Sequence, residues 1–167
     1  IGSSLVGSEM CIRDSLGILL EGLKRLEYRG YDSAGVCLKQ GDGLVRIREV
    51  GKVAELKASC DEQAPEGTIG IAHTRWATHG KPTAANAHPH VSSDRVAVVH
   101  NGIIENHEAL RAELKADGYT FTSETDTEVM AHLIHREVAV AGDLKEGVSR
   151  AVGMLLSLIH ISEPTRL

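Results

Sequence analysis

The 167 residues are 42% apolar, enough to bury a real core in one ordinary domain or a piece of a larger one. Eighteen basic against 23 acidic residues give a formal charge of -5, which leaves no basic stripe for phosphate backbones, so no nucleic acid partner is expected. No apolar run is long enough to span a membrane and no signal peptide opens the chain, which predicts a soluble, cytoplasmic protein with no membrane partner; the odd set Cys11, Cys37 and Cys60 suggests reduced thiols rather than a disulfide framework.

Two end segments are set aside before any element is assigned. LVGSEMCIRDS, Leu5 to Ser15, and LSLIHISEPTR, Leu156 to Arg166, can be encoded by opposite strands of one DNA element. They resemble translated sequencing-adapter ends. Residues 1–15 and 156–167 are therefore expected to be foreign, and residues 16–155 to be the native part.

The native part opens on LGILLEGLKRLEY, whose Leu16, Leu19, Leu20, Leu23 and Leu26 recur at helical spacing, with Gly30 placed as a stop. AGVCLKQ and LVRIREV alternate as strands do, and Gly41-Asp42-Gly43 between them predicts a hairpin. TIGIAHT and VAVVH read as buried strands, each running into a polar, Gly-containing loop. Asn106 to Asp117 is predicted helical and closed by Gly118, followed by a short strand over Tyr119 to Thr122. Thr125-Asp126-Thr127-Glu128 fits a capping box ahead of Val129, Met130, Leu133 and Ile134, and a last helix is expected from about Asp143. Paired strands with helices before and after predict an α+β sandwich of antiparallel sheet under helices.

Four loop segments hold residues that a soluble core does not need: EYRGYDSAG at Glu27 to Gly35, HTRWATHG at His73 to Gly80, HNGIIEN at His100 to Asn106 and SETDTE at Ser123 to Glu128. NAHPH, Asn86 to His90, lies between the second and third. Asn101-Gly102 after a buried strand can aim an amide and a glycine N–H at one oxyanion, although Asn-Gly is also an ordinary turn. Arg75 offers a planar fork for a carboxylate and Asp126 a negative charge for an ammonium group, although a surface ion pair and a helix-dipole preference would explain them too. His88 and His90 lack the spacing of a helical ligand pair, and no metal is expected.

In this order the four segments resemble the glutaminase domain of the glutamine:fructose-6-phosphate aminotransferase family, of the N-terminal-nucleophile (class II) amidotransferases, and the resemblance covers essentially all of residues 16–155. It implies an αββα sandwich of N-terminal-nucleophile hydrolase type, incomplete here. It further implies L-glutamine as substrate, no cofactor, a sugar-phosphate isomerase domain in the same parent chain and a homodimeric parent. Asn101 and Gly102 would form the oxyanion hole, and Arg75 and Asp126 would clamp glutamine. Trp76 and His79 would close over it, and Arg29 and Asp32 would brace the nucleophile region. The family's nucleophile is an N-terminal cysteine. Cys11 follows a methionine but stands in the foreign segment, too near the first helix, so the catalytic cysteine is expected to be absent and this copy inactive. A different acceptor within the same class, or a non-catalytic glutamine-binding module, are the alternatives.

Overall fold

The computed structural model describes residues 15–30, 32–75 and 83–155, apart from the Arg29 side chain. Cys11, Trp76, His79 and both end segments beyond Ser15 and Leu155 lie outside the described residues. The chain divides into two compact units, residues 1–89 and 90–167.

In the first unit, helix α1 (Ser15–Leu26) buries Leu20 and Leu23, with Leu16 and Leu19 packed at the edge of the core. Leu26 stands 45% exposed, off the apolar stripe expected to include it. The chain then tightens into a 3-10 turn, Glu27–Arg29. Gly30 is extended, with φ of -176°, so it is not the left-handed glycine stop expected from the sequence. Strands β1 (Ser33–Gln40) and β2 (Gly43–Val50) form the expected hairpin, in register from Ser33 opposite Val50 to Gln40 opposite Gly43. Strand β3 (Gly70–Arg75) pairs antiparallel with the other edge of β1. The sheet order β2-β1-β3 makes β1 central, and its first six residues are all buried.

Helix α2 (Val53–Gln63) lays Val53, Leu56 and Cys60 against Leu38, Ile47 and Leu23. Its N-cap residue, Lys52, makes no side-chain cap. The Val53 N–H donates instead to Glu27 Oε1 at 2.8 Å, so the cap comes from the turn that ends α1.

In the second unit, β4 (His90–Ser92) and β5 (Val96–Val98) make a short antiparallel hairpin. Helices α3 (His107–Ala116), α4 (Asp126–Ala141) and α5 (Leu144–Met154) follow. Ile104, Leu110, Leu114, Val129, Leu133, Ile134, Ala151 and Leu155 are its buried core. Gly142, at φ of +70°, turns the chain from α4 into α5, where the Asp143 side chain accepts from the Glu146 N–H at 2.8 Å.

Tyr119 to Thr122 is not the strand expected from its composition. Its backbone donors are spoken for locally: the Tyr119 N–H donates to the Leu114 carbonyl, and the Thr122 N–H to the Glu128 carboxylate. The capping box is also rearranged. Glu128 does not reach back to the Thr125 N–H; it accepts from Thr122 and Ser123, and the Thr125 N–H donates to Ser123 Oγ.

Candidate functional site

Each unit carries its own group of the singled-out residues. In the first, β3 delivers Arg75 at its C-terminal end, 8% exposed rather than a surface group. The Arg75 carbonyl accepts from the Asp32 N–H at 3.2 Å, which joins the loop before β1 to the end of β3. His73, two residues earlier, has its ring 4.5 Å from that of His88.

The segment from Ala84 to His88 is pressed onto the hairpin by two features. The Arg48 Nη1 on β2 donates to the carbonyls of Ala85 and Ala87, at 3.0 and 2.9 Å. On β1, a Cβ added at Gly35 would lie 2.1 Å from the His88 carbonyl oxygen, so only glycine permits this approach. Gly35 was noted as the end of a motif, and its role is steric.

In the second unit, β5 leads through His100 to Asn101 and Gly102, both exposed, with Gly102 at φ of +156°. Two residues on, the Ile104 N–H donates to Asp126 Oδ2 at 2.9 Å. The loop that holds Asn101-Gly102 is thus tied to the first turn of α4 through the carboxylate expected to meet an ammonium group. His100 is held below the ordinary imidazole range by burial, opposed by the Asp126 charge. A mostly neutral imidazole beside Asp126 leaves that carboxylate's charge available to a ligand.

A buried polar network lies behind Asp126. Glu128, 3% exposed, accepts from the backbone N–H groups of Thr122 and Ser123 and from both hydroxyls, at 2.7 to 2.9 Å. Burial pushes its carboxyl up, but these four donors outweigh burial and hold it below the usual range. Ser123 Oγ lies 2.9 Å from Thr125 Oγ1, which lies 2.9 Å from Nε2 of the fully buried His90. Arg111 on α3 holds the same loop by its carbonyls, donating from Nη1 to Ser123 at 2.9 Å and from Nη2 to Thr125 at 2.7 Å, with its guanidinium 4.4 Å over the Phe121 ring.

Sequence reasoning missed Arg48, Arg111 and the loop-holding role of Glu128. Arg111 and its carbonyl partners are 12 and 14 residues apart, and Arg48 and its partners 37 and 39, beyond any local pattern. The cysteines inside the described residues are core residues. Cys37 is 2% exposed in β1. Cys60 is fully buried, and burial together with Asp61 and Glu49 pushes its thiol up to about 11.

A family model described as "Glutamine amidotransferase domain" matches residues 73–164. The chain is 65% identical over 140 residues to a glutamine–fructose-6-phosphate aminotransferase (isomerizing) of Idiomarina loihiensis, covering 83% of this chain and 23% of that protein. It is 60% identical over 144 residues to the protein of the same name from Escherichia coli strain K12, covering 86% of this chain and 24% of that one. The chain thus spans about a quarter of the length of these curated relatives. Among solved structures, glutamine phosphoribosylpyrophosphate amidotransferase from B. subtilis, complexed with ADP and GMP, superposes with a TM-score of 0.68 at 30% identity, over 84% of this chain and 30% of that one. An allosteric regulatory enzyme of purine biosynthesis superposes with a TM-score of 0.70 at 31% identity, over 84% of this chain and 31% of that one. With short sheets in both units, the fold class is α+β, an incomplete αββα sandwich of N-terminal-nucleophile hydrolase type.

Proposed function

We propose, from the premise that this chain belongs to the glutamine amidotransferase domain family, that it carries the glutamine-binding and oxyanion-stabilising parts of a glutaminase without a nucleophile able to use them. The observation that carries the reading is the Asp126 carboxylate, bonded to the Ile104 N–H through one oxygen, at the end of the loop that presents Asn101-Gly102. The other oxygen accepts a long bond from Thr127 Oγ1 at 3.4 Å, and its second lone pair can meet the α-ammonium group of glutamine. Buried Arg75 supplies a bidentate partner for the α-carboxylate. Asn101 and Gly102 supply the oxyanion donors, which act where charge develops in acyl transfer. The family resemblance, and not the described residues, assigns Trp76 and His79 to closing over the substrate and the Arg29 side chain, with Asp32, to bracing the nucleophile's surroundings.

Residues 16–155 are the amidotransferase part in this proposal, and residues 1–15 and 156–167 are foreign to it. Cys11 belongs to the foreign segment, while Cys37 and Cys60 are buried and the Cys60 thiol resists ionisation. The names of the similar proteins support a parent that transfers nitrogen from glutamine to fructose 6-phosphate; a sugar-phosphate isomerase domain in the same chain and a cytoplasmic homodimer complete the proposal on the family resemblance alone.

Titration of the chain with glutamine, followed by calorimetry, tests the reading. Glutamine is expected to bind, to bind more weakly to Arg75→Ala and Asp126→Ala, and to release no glutamate. Unchanged affinity in both variants would remove the clamp. Glutamate release that depends on Cys11 would remove the claim of a missing nucleophile. With a cysteine-initiated strand joined ahead of Leu16 and the rest of the domain restored, hydrolysis should return, and Asn101→Ala should then lower kcat by roughly a hundredfold or more.

A further inference from the structure

Helix α3 holds both ends of the half-site in the second unit. His107, in its first turn, donates from Nδ1 to the Ile104 carbonyl at 2.8 Å, and the Ile104 N–H is the one bound by Asp126. Arg111 stands one turn later, on the same face. Its two Nη atoms donate to the carbonyls of Ser123 and Thr125, the residues that lead into Asp126. The path from Ile104 through His107, α3, Arg111 and Thr125 to Asp126 therefore closes on Ile104 itself. Glu128 holds the N–H groups of the same lead-in from the opposite side. Neither terminus of this clamp can drift without lengthening a charge-assisted bond.

We propose that Arg111 is a positioning residue: its guanidinium fork sets the Asp126 carboxylate at the spacing from the Asn101-Gly102 loop that glutamine's ammonium group and amide carbon require. This rests on the assignment of Asp126 to the ammonium group. The two Nη atoms of a planar fork hold the two carbonyls at a fixed separation and angle, which the compact, freely rotating ammonium of lysine does not reproduce. The Phe121 ring beneath the guanidinium holds its plane.

The test compares the affinity of glutamine with that of glutaramate, the same molecule without its α-ammonium group, for the chain and for Arg111→Lys. The unaltered chain should prefer glutamine by roughly tenfold or more, the ratio that a single charge-assisted bond supplies. In Arg111→Lys the preference should fall below roughly threefold, because glutamine weakens while glutaramate does not. Arg111→Gln, whose amide is too short to span the two carbonyls and which removes the charge, should fall in the same way, and it stands in if the lysine variant does not fold. A folded variant with lower stability and an undiminished preference would overturn the positioning role and leave Arg111 a structural clamp. A parent chain that binds both ligands equally would instead overturn the Asp126 assignment. The Ile104 amide gives a readout independent of ligand: its hydrogen exchange should quicken in both Arg111 variants, and unchanged protection would count against the proposal.

Discussion

Replacing Glu128 by alanine should be among the most damaging single changes in the second unit. The carboxylate is 3% exposed and takes four hydrogen bonds, two of them from the backbone N–H groups of Thr122 and Ser123. Ser123 Oγ already shares a partner in Thr125, and the exposed Thr122 hydroxyl can turn to water, so those two bonds are replaceable. The cost is therefore set chiefly by the buried Ser123 N–H, at about 1–3 kcal/mol for a buried donor left unmade, plus the lost side-chain packing, or about 2–4 kcal/mol in all. Glutamine at the same position keeps the shape and one acceptor oxygen but turns an NH2 toward a donor, and should cost roughly half as much. The pH dependence has a definite sign. The folded carboxyl is held below the usual range, so its contribution is present above the unfolded carboxylate value, near pH 4.3 in model peptides, and is lost as pH falls through the lower folded value. Urea denaturation of the chain and of Glu128→Gln should therefore give curves that differ at pH 7 and draw together as pH falls below the unfolded carboxylate value. An alanine variant within about 0.5 kcal/mol of the chain, or a gap between chain and Glu128→Gln that persists into acid, would refute the assignment of these bonds.

Three further outcomes follow from single contacts. Gly35→Ala forces a methyl group to within 2.1 Å of the His88 carbonyl, so the Ala84–His88 segment must lift off the hairpin, at a cost of about 2 kcal/mol or more by denaturant titration; a neutral substitution would show that the segment is not pressed there. Asp126→Asn keeps an acceptor oxygen and should preserve slow exchange of the Ile104 amide, while Asp126→Ala should expose it; identical exchange rates would sever the link between the two. Cys60, with its thiol raised to about 11, should resist alkylation at pH 8 in the folded protein, where roughly one thiol in a thousand is ionised, and react at once in denaturant; rapid labelling under native conditions would contradict its burial.

The elements that the sequence made legible are those fixed by local periodicity. The β1–β2 hairpin follows from two strand-prone runs around the Gly41-Asp42 turn, although β1 is buried on both faces rather than alternating, and α4 follows from the apolar spacing of Val129, Leu133 and Ile134. The strand expected over Tyr119 to Thr122 failed because its composition suits a sheet whose partners do not come; a carboxylate and a helix end take its donors instead. Gly30 and Leu26 failed for a related reason, since the tightening into a 3-10 turn rotates the last residues off the helical face. Within the candidate site, the residue types were visible but their supports were not. Arg111 and Arg48 act across loops through side-chain bonds to carbonyls, and a carbonyl leaves no mark in a sequence.

The cap that Glu27 places on α2 has a meaning for stability. A helix ordinarily bears its own nucleation cost, with its first N–H groups met by a neighbouring side chain or by water. Here the first helical N–H is served from 26 residues upstream, across the whole β1–β2 hairpin. Residues 52–64 cut out as a peptide would lack that acceptor and have little reason to wind. In the growing chain Glu27 is made first, so the acceptor stands ready when Val53 emerges. The full stability of helix α2 therefore depends on closure of the hairpin beneath it, which alone brings Glu27 to its first turn.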